Sequence, residues 1–434
     1  HFARHGFAAI NRINKALRAS SNQGCDLMAA GRLITTVFAP VLALFLVQTS
    51  GHTQTNTPPE DTGIRMGRFV ISPDVSVRER FDDNIYLTDD TPTSDVITEI
   101  APRLRLQSEW RYLKLYVGAG AELGFYADSD DDNYQDADVR SGIALDIGPN
   151  TVLDGTFEWH RAHDARGGND VPTNATKPVV FNDVRASLNA QHIAKNLHYQ
   201  TELALRRLDF DDATDQNGNR IANDDRNRVE SRETIRVLMP LDLGREAYGE
   251  FNLNQRQYDR TPDDDGRVRD SAGFQMLGGL RFDLTNLIAA DVAAGWMTQS
   301  YADPAFGNIA DYTLRADVNW AVTRLTSIGV KAARQVRETT LPGASGILAF
   351  DFGASVSHEL RRFLSITADA HYTDEAFRQT TRHDRTTGVG LGMTYQLNRF
   401  ARFDAGIAHD MRNSTSSGHD YRRFQTQFSL KLEM

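Results

Sequence analysis

Downstream of Gly67 this chain alternates apolar and polar residues one by one over long stretches. Leu113, Leu115, Val117, Ala119, Ala121, Leu123 and Phe125 interleave with Tyr112, Lys114, Tyr116, Gly118, Gly120, Glu122 and Gly124. Tyr312, Leu314, Ala316, Val318, Trp320 and Val322 do the same with Thr313, Arg315, Asp317, Asn319 and Thr323. Phe424, Phe428, Leu430, Leu432 and Met434 repeat the rhythm near the C-terminus. Successive side chains of a strand point to opposite faces, so each stretch reads as a strand with one apolar and one polar face. Length then separates two kinds of strand. Soluble strands run about 5–6 residues and a bilayer crossing needs about 9–11, whereas these stretches run on the order of 10–16. A mean hydropathy of -0.46 excludes a polytopic helical membrane protein, which needs repeated apolar runs of about 20 residues. With 22 Phe, 13 Tyr and 4 Trp the chain has too much to bury for wholesale disorder.

The connections alternate in kind. Short turns are expected at Glu109–Trp110, Gly148–Asn150, Ala194–Asn196, Asp242–Gly244, Thr285–Asn286, Thr323–Arg324, Arg361–Arg362 and Asn398–Arg399. Between them lie long polar connections centred near Asp89, Asp131, Gly168, Asn217, Asp264, Pro304, Gly343, Arg382 and Ser416. Short turns on one side and long loops on the other belong to outer-membrane barrels. The pattern predicts an all-β, transmembrane antiparallel barrel of roughly 18 strands, with short periplasmic turns, long acidic extracellular loops and both termini periplasmic. Trp110, Phe363 and Phe400 are assigned to one aromatic girdle; Phe125, Trp159, Trp296, Tyr301 and Tyr372 are assigned to the other.

The N-terminal part reads differently. The first residue is His1, so residues 1–27 are taken as an upstream extension, and 28–51 as a signal peptide from Met28. Arg32 precedes an apolar run from Leu33 to Val47, too short to span a bilayer, and Thr49 and Gly51 form a cleavage site before His52. Residues 52–67 are then a short periplasmic segment and 68–434 the barrel. Loss of 1–51 removes Arg4, Arg12, Lys15, Arg18, Arg32 and Asp26, and moves the formal charge from -10 to -14. That balance argues against nucleic acid as a partner. The sole cysteine, Cys25, is lost with the leader, so neither a disulfide nor a cysteine zinc site is available.

The polar strand faces supply the candidate site. Arg103, Arg105, Lys114, Glu122, Arg140, Glu158, Arg185, Glu202, Arg206, Arg232, Arg236, Glu250, Arg281, Asp283, Arg315, Asp317, Lys331, Asp369, Asp404 and Arg423 are expected to line the lumen. A barrel of about 16–18 strands encloses an aqueous channel unless something plugs it. Many expected inward positions are small, among them Gly118, Gly120, Gly124, Gly279 and Gly390, which predicts an open centre. Ala165–Val180 and Asp209–Asn227 are the loops expected to fold in. The acidic rims should favour cations. Aspartate-rich loops suit hard divalent ions in principle, yet the run from Ala213 to Asp224 has Ala first and Asp last and fails as an EF-hand loop. No phosphate loop or histidine metal motif appears, no cofactor or metal is expected, and the reading is not an enzyme. Only Ser357 beside His358, and Asp369 near His371, even suggest a hydrolytic arrangement.

From Phe69 to about Asp212 the chain resembles the Putative β-barrel porin type 2 family of outer-membrane proteins. The resemblance is carried by Arg80-Phe-Asp-Asp-Asn-Ile-Tyr86, by Ala101-Pro-Arg-Leu-Arg-Leu106 leading to Trp110, and by the acidic segment Tyr126 to Asp138. The His160 to Asp170 loop and Arg207-Leu-Asp-Phe-Asp-Asp212 add to it. It implies a bacterial outer-membrane location and, through the frequent association of members with exopolysaccharide or capsule production, a conduit or accessory role in polysaccharide export. The alternative is a general or substrate-selective diffusion porin; a barrel-embedded hydrolase is the third reading. Outer-membrane lipids and the barrel assembly machinery are the expected partners, joined on the export reading by polysaccharide and periplasmic export components. The family defines no catalytic residues to carry over.

Overall fold

The computed structural model describes residues 63–434 except Leu243, Thr285 and Asn286. The expected extension (1–27), the expected signal peptide (28–51) and most of the 52–67 segment lie outside the described residues, as does part of two short turns. Eighteen long strands follow one another: β1 (Phe69–Asp82), β2 (Asp95–Ser108), β3 (Leu113–Tyr126), β4 (Tyr134–Asp146), β5 (Thr151–His163) and β6 (Val180–Ala194). Next come β7 (Leu197–Phe210), β8 (Arg228–Asp242), β9 (Arg245–Tyr258), β10 (Ser271–Leu284), β11 (Ile288–Tyr301) and β12 (Ile309–Ala321). The last six are β13 (Thr326–Arg337), β14 (Ile347–Arg361), β15 (Leu364–Phe377), β16 (His383–Asn398), β17 (Ala401–Ser414) and β18 (Tyr421–Glu433).

Each strand pairs antiparallel with the next, and β1 pairs with β18 from Asp74↔Glu433 to Asp82↔Gln425, so the sheet closes on itself. The longest strand has 16 residues, and connections alternate between short turns at one rim and loops at the other. A short strand, Ile64–Met66, folds back on β1 through Gly67 and Arg68. Gly67 has φ +66°, a conformation that glycine adopts without steric cost.

The two faces are inverted relative to a soluble protein. Large apolar side chains stand in solvent: Leu188 is 66% exposed, Trp296 52% and Val389 58%, with Leu104, Val117, Ile143, Ile235, Met276, Val356 and Phe428 beside them. Closure removes every sheet edge, so the backbone is satisfied inside the wall and this apolar belt can meet lipid. Phe125 and Trp296 at the loop end, and Phe363 and Phe400 at the turn end, stand exposed in the belt. Tyr301 does not. It lies five residues from Trp296, so alternation sends it to the opposite face, where it packs on Phe306 and beside Met297 and Ile309.

Candidate functional site

All twenty charged candidates sit on the strand positions that alternate with the exposed apolar ones. That face is the inner one, because residues on distant strands meet across it. Arg256 of β9 reaches the Val336 carbonyl of β13 at 3.1 Å, and Asn169, after β5, donates to Glu375 of β15 at 3.2 Å.

Fourteen of the twenty are engaged with a neighbour. Arg105 and Lys431 share Asp74, while Arg185 and Arg206 grip Asp183, and Arg206 also faces Glu230. Arg236 and Arg315 enclose Glu250; Arg281 lies between Glu246 and Asp291. Arg140 pairs with Asp138, Lys331 with Asp317, Asp404 with Arg402, and Arg423 with Asp410. Glu122 accepts from the Tyr134 hydroxyl, and Glu158 lies 3.1 Å from His160. Among the described residues no ion pair involves Arg103, Lys114, Glu202, Arg232, Asp283 or Asp369. Ion-paired ladders stiffen a wall as well as wetting it, and cross-strand pairs of opposite charge contribute only about 0.2–1 kcal/mol each.

Exposure along this inner face has a direction. On β16, Asp384, Thr386 and Gly388 are buried, Gly390 through Gln396 are half-buried, and Asn398 is exposed. On β2 the order runs likewise from buried Asp95, Ile97 and Glu99 to exposed Arg103 and Gln107. The turn-side half is therefore wet, and the loop-side half is filled.

Two segments fill it. The first is 164–179, between β5 and β6. Arg166 binds Asp132 and the carbonyls of Ala175 and Thr176, Arg412 of β17 donates to the Gly167 carbonyl, and Arg382 donates to Asn169 at 2.9 Å. The loop 211–227 backs it: Arg226 pairs with Asp164 at 2.7 Å, and Thr176 bonds to the Thr214 carbonyl. Burial pushes the Asp164 carboxyl above its usual range, the Arg226 guanidinium offsetting this only in part. Burial near Asp264 raises Asp225 as well. The tip of that loop, Ala213–Thr214 against Arg220–Ile221, is a small hairpin.

The second segment, 338–346, follows β13; a connection near Gly343 is expected from the sequence, but nothing there marks it as one that folds inward. The β12–β13 ladder stops at Leu314↔Arg334, so the end of β13 is free to lean inward with β14. Glu338 is held by Arg256 and Tyr258; Arg269 donates to the carbonyls of Thr339, Thr340 and Ala344. The two segments meet where Asp170 accepts from Thr339 Oγ1 at 2.6 Å and from the Thr340 amide at 3.2 Å.

Several expectations change here. The inward glycines do not simply leave space: a Cβ on Gly124 would stand 2.1 Å from the Tyr134 ring, and one on Gly279 2.3 Å from Tyr248. Tyrosines from the neighbouring strand cover them, a packing that suits sheet glycines. Gly353 is open. The acidic rim is less bare than composition suggests, since Asp263, Asp132, Asp164, Asp212 and Asp224 are each paired with an arginine. Ser357 and His358 do not form a hydrolytic pair: alternation places them on opposite faces, Ser357 accepting from Thr367 and His358 beside Thr326.

The family model for Putative beta-barrel porin 2 matches residues 57–434, the whole of the described barrel. The chain belongs to that family. No curated protein matches it significantly. Among solved structures, this porin-family barrel is similar to Acinetobacter baumannii OccAB4, at 10% identity and TM-score 0.47, over 86% of this chain and 100% of that one. It is also similar to Pseudomonas aeruginosa OccK1 (OpdK), at 10% identity and TM-score 0.45, over 84% and 99%. For Pseudomonas aeruginosa OccK3 (OpdO) the figures are 12% and 0.44, over 84% and 95%. Likeness that low leaves the fold resting on the strand pairings themselves. The chain is a porin-like barrel of the bacterial outer membrane.

Proposed function

We propose that the barrel is a diffusion porin for small polar solutes, narrowed at its loop side by segments 164–179 and 338–346. The observation that carries this reading is the contact of Asp170 with Thr339 and Thr340 inside the mouth, above a turn-side half lined by solvated charge. A wall of about 18 strands encloses more space than its own side chains fill, so the two segments set the width. The polysaccharide-export reading gains no support from this arrangement, because a mouth narrowed from two sides favours small solutes over a polymer.

The test is electrical. Cys25 is the sole cysteine in the chain, so Asp170→Cys with Thr339→Cys places an otherwise unmatched thiol pair at the meeting point. Planar-bilayer recordings should show conductance that falls when a short bis-thiol reagent bridges the pair and recovers when a cleavable bridge is reduced. No conductance from wild type, and none after deleting both segments, would make the barrel a sealed scaffold instead.

A further inference from the structure

We propose that the inner wall of β2–β4 holds a subsite for the carboxylate or phosphate head of a small organic anion. The inference rests on the porin reading for the solute's access, and on this chain's own residues for its chemistry. Arg105 and Arg140 occupy one cross-strand row, on either side of Gly118. Adjacent strands are about 4.8 Å apart, so a gap of about 10 Å separates the two backbones. Gly118 leaves that gap without a side chain of its own, and the Tyr116 hydroxyl lies over it: a Cβ there would stand 2.6 Å from the oxygen. Two arginine positions thus flank, in register, a phenol that covers Gly118.

Exposure on this patch differs between the two arginines and their partners. Arg105 and Arg140 are 42% and 47% exposed, but their partners Asp74 and Asp138 are only 4% and 19% exposed. Solvent therefore meets these two bases more than the acids paired with them. Arg103 and Lys114, on the same two hairpin strands, are exposed and have no ion pair among the described residues. Four cations lie on three adjacent strands, with Asp138 beside Arg103 and Glu158 across from Arg140 as the nearest acids, and an anion seated among the exposed bases accepts charge-assisted hydrogen bonds from them. Directly beneath, toward the turns, lies a groove of about 360 Å³ lined by Lys114, Tyr116, Gly142, Ala144, Asp154 and Thr156. Its glycine and alanine floor suits a short apolar body behind the charged head. Asp154 is engaged by the Asn189 amide at 2.9 Å on the far side.

The probes are butyrate, monobutyl phosphate and 1-butanol, titrated calorimetrically into the purified full-length barrel. At least one anion should bind and butanol should not, and the stronger of the two anions assigns the head group. Arg105→Ala with Arg140→Ala should weaken that binding at least about tenfold, as expected for lost charge-assisted bonds. Tyr116→Phe should weaken it about threefold, and Arg140→Lys should retain most of it. Arg402→Ala, an inner-face arginine on β17, should leave it unchanged. Failure of both anions to bind wild type, or equal affinity in the double variant with its heat-modifiable gel mobility intact, overturns the subsite. A barrel that conducts salt yet binds neither anion loses the subsite alone; one that binds an anion through these arginines but passes no current loses the porin reading alone.

Discussion

Arg269 offers the sharpest perturbation of the mouth. It is 3% exposed, pairs with Asp263 at 2.6 Å, and donates to the carbonyls of Thr339 at 2.9 Å, Ala344 at 3.1 Å and Thr340 at 3.1 Å. The pair with Asp263 lies within one loop and persists when the segment leaves, so what seats the segment is the hydrogen bonding of the guanidinium to the three carbonyls. Hydrogen bonds to a charged group contribute about 1.5–3 kcal/mol, and for three buried ones the upper end, about 3 kcal/mol, is the better figure. The three carbonyls recover water if segment 338–346 swings out. The cost therefore falls on the seated mouth and not on the barrel wall. At about 1.4 kcal/mol per decade, Arg269→Ala should shift the seated-to-released ratio roughly a hundredfold. Bilayer recordings should show the variant dwelling in a higher conductance level, and trypsin should cut faster at the adjacent Arg337. Conductance and cleavage identical to wild type, with the variant folded on gels, would refute the claim that this arginine seats the segment.

Three further outcomes follow from the same geometry. Gly124→Val should lower the unfolding temperature on heat-modifiability gels, by an amount corresponding to about 1–3 kcal/mol, because its side chain must displace the Tyr134 ring; an unshifted transition would mean the ring is not held there. Leu188→Arg on the lipid face should cost about 2–4 kcal/mol of folding stability in lipid vesicles, whereas Ser187→Arg, on the inner face, should be tolerated; equal costs would reverse the assignment of faces. Burial holds the Asp164 and Asp225 carboxyls above their ordinary range, so the seated loops bind protons more tightly than released ones and gain stability as pH falls through the raised values. Acidifying the loop side should therefore lower conductance, less so in Asp164→Asn, and a rise in conductance would contradict it. Asp215, held low by hydrogen bonds from Asn219 and Asn217, acts oppositely but only at the exposed hairpin tip.

Much of the wall was legible because period-two alternation is a local property. The face of each strand, the connections near Asp131 and Gly168, and the strand count all follow from counting along the chain. Even the misplacement of Tyr301 was avoidable by parity with Trp296. What the sequence does not carry is register between strands and contact across the lumen. Whether Gly124 is open or covered depends on Tyr134 standing beside it in the next strand, which no one-dimensional pattern encodes. Segment 338–346 is short and unremarkable in composition; its inward path is set by Arg256 and Tyr258 of one strand and Arg269 of a loop, all well upstream. Likewise the acids of the loops look like free charge until their arginine partners, brought by folding, are seen beside them.

The pairing of β1 with β18 has a consequence for how such a wall comes into being. Every other ladder joins strands that are neighbours in the chain, and each can zip as a hairpin soon after its turn forms. The closing ladder instead joins residues separated by nearly the full length of the barrel, so its loop-closure entropy must be met by a single late event. Until Tyr421–Glu433 docks, the sheet has two raw margins whose amides and carbonyls no hydrocarbon can satisfy. A lesion in β18 would thus act differently from the same lesion in a middle strand: it would not weaken one hairpin but leave the whole curtain unhemmed.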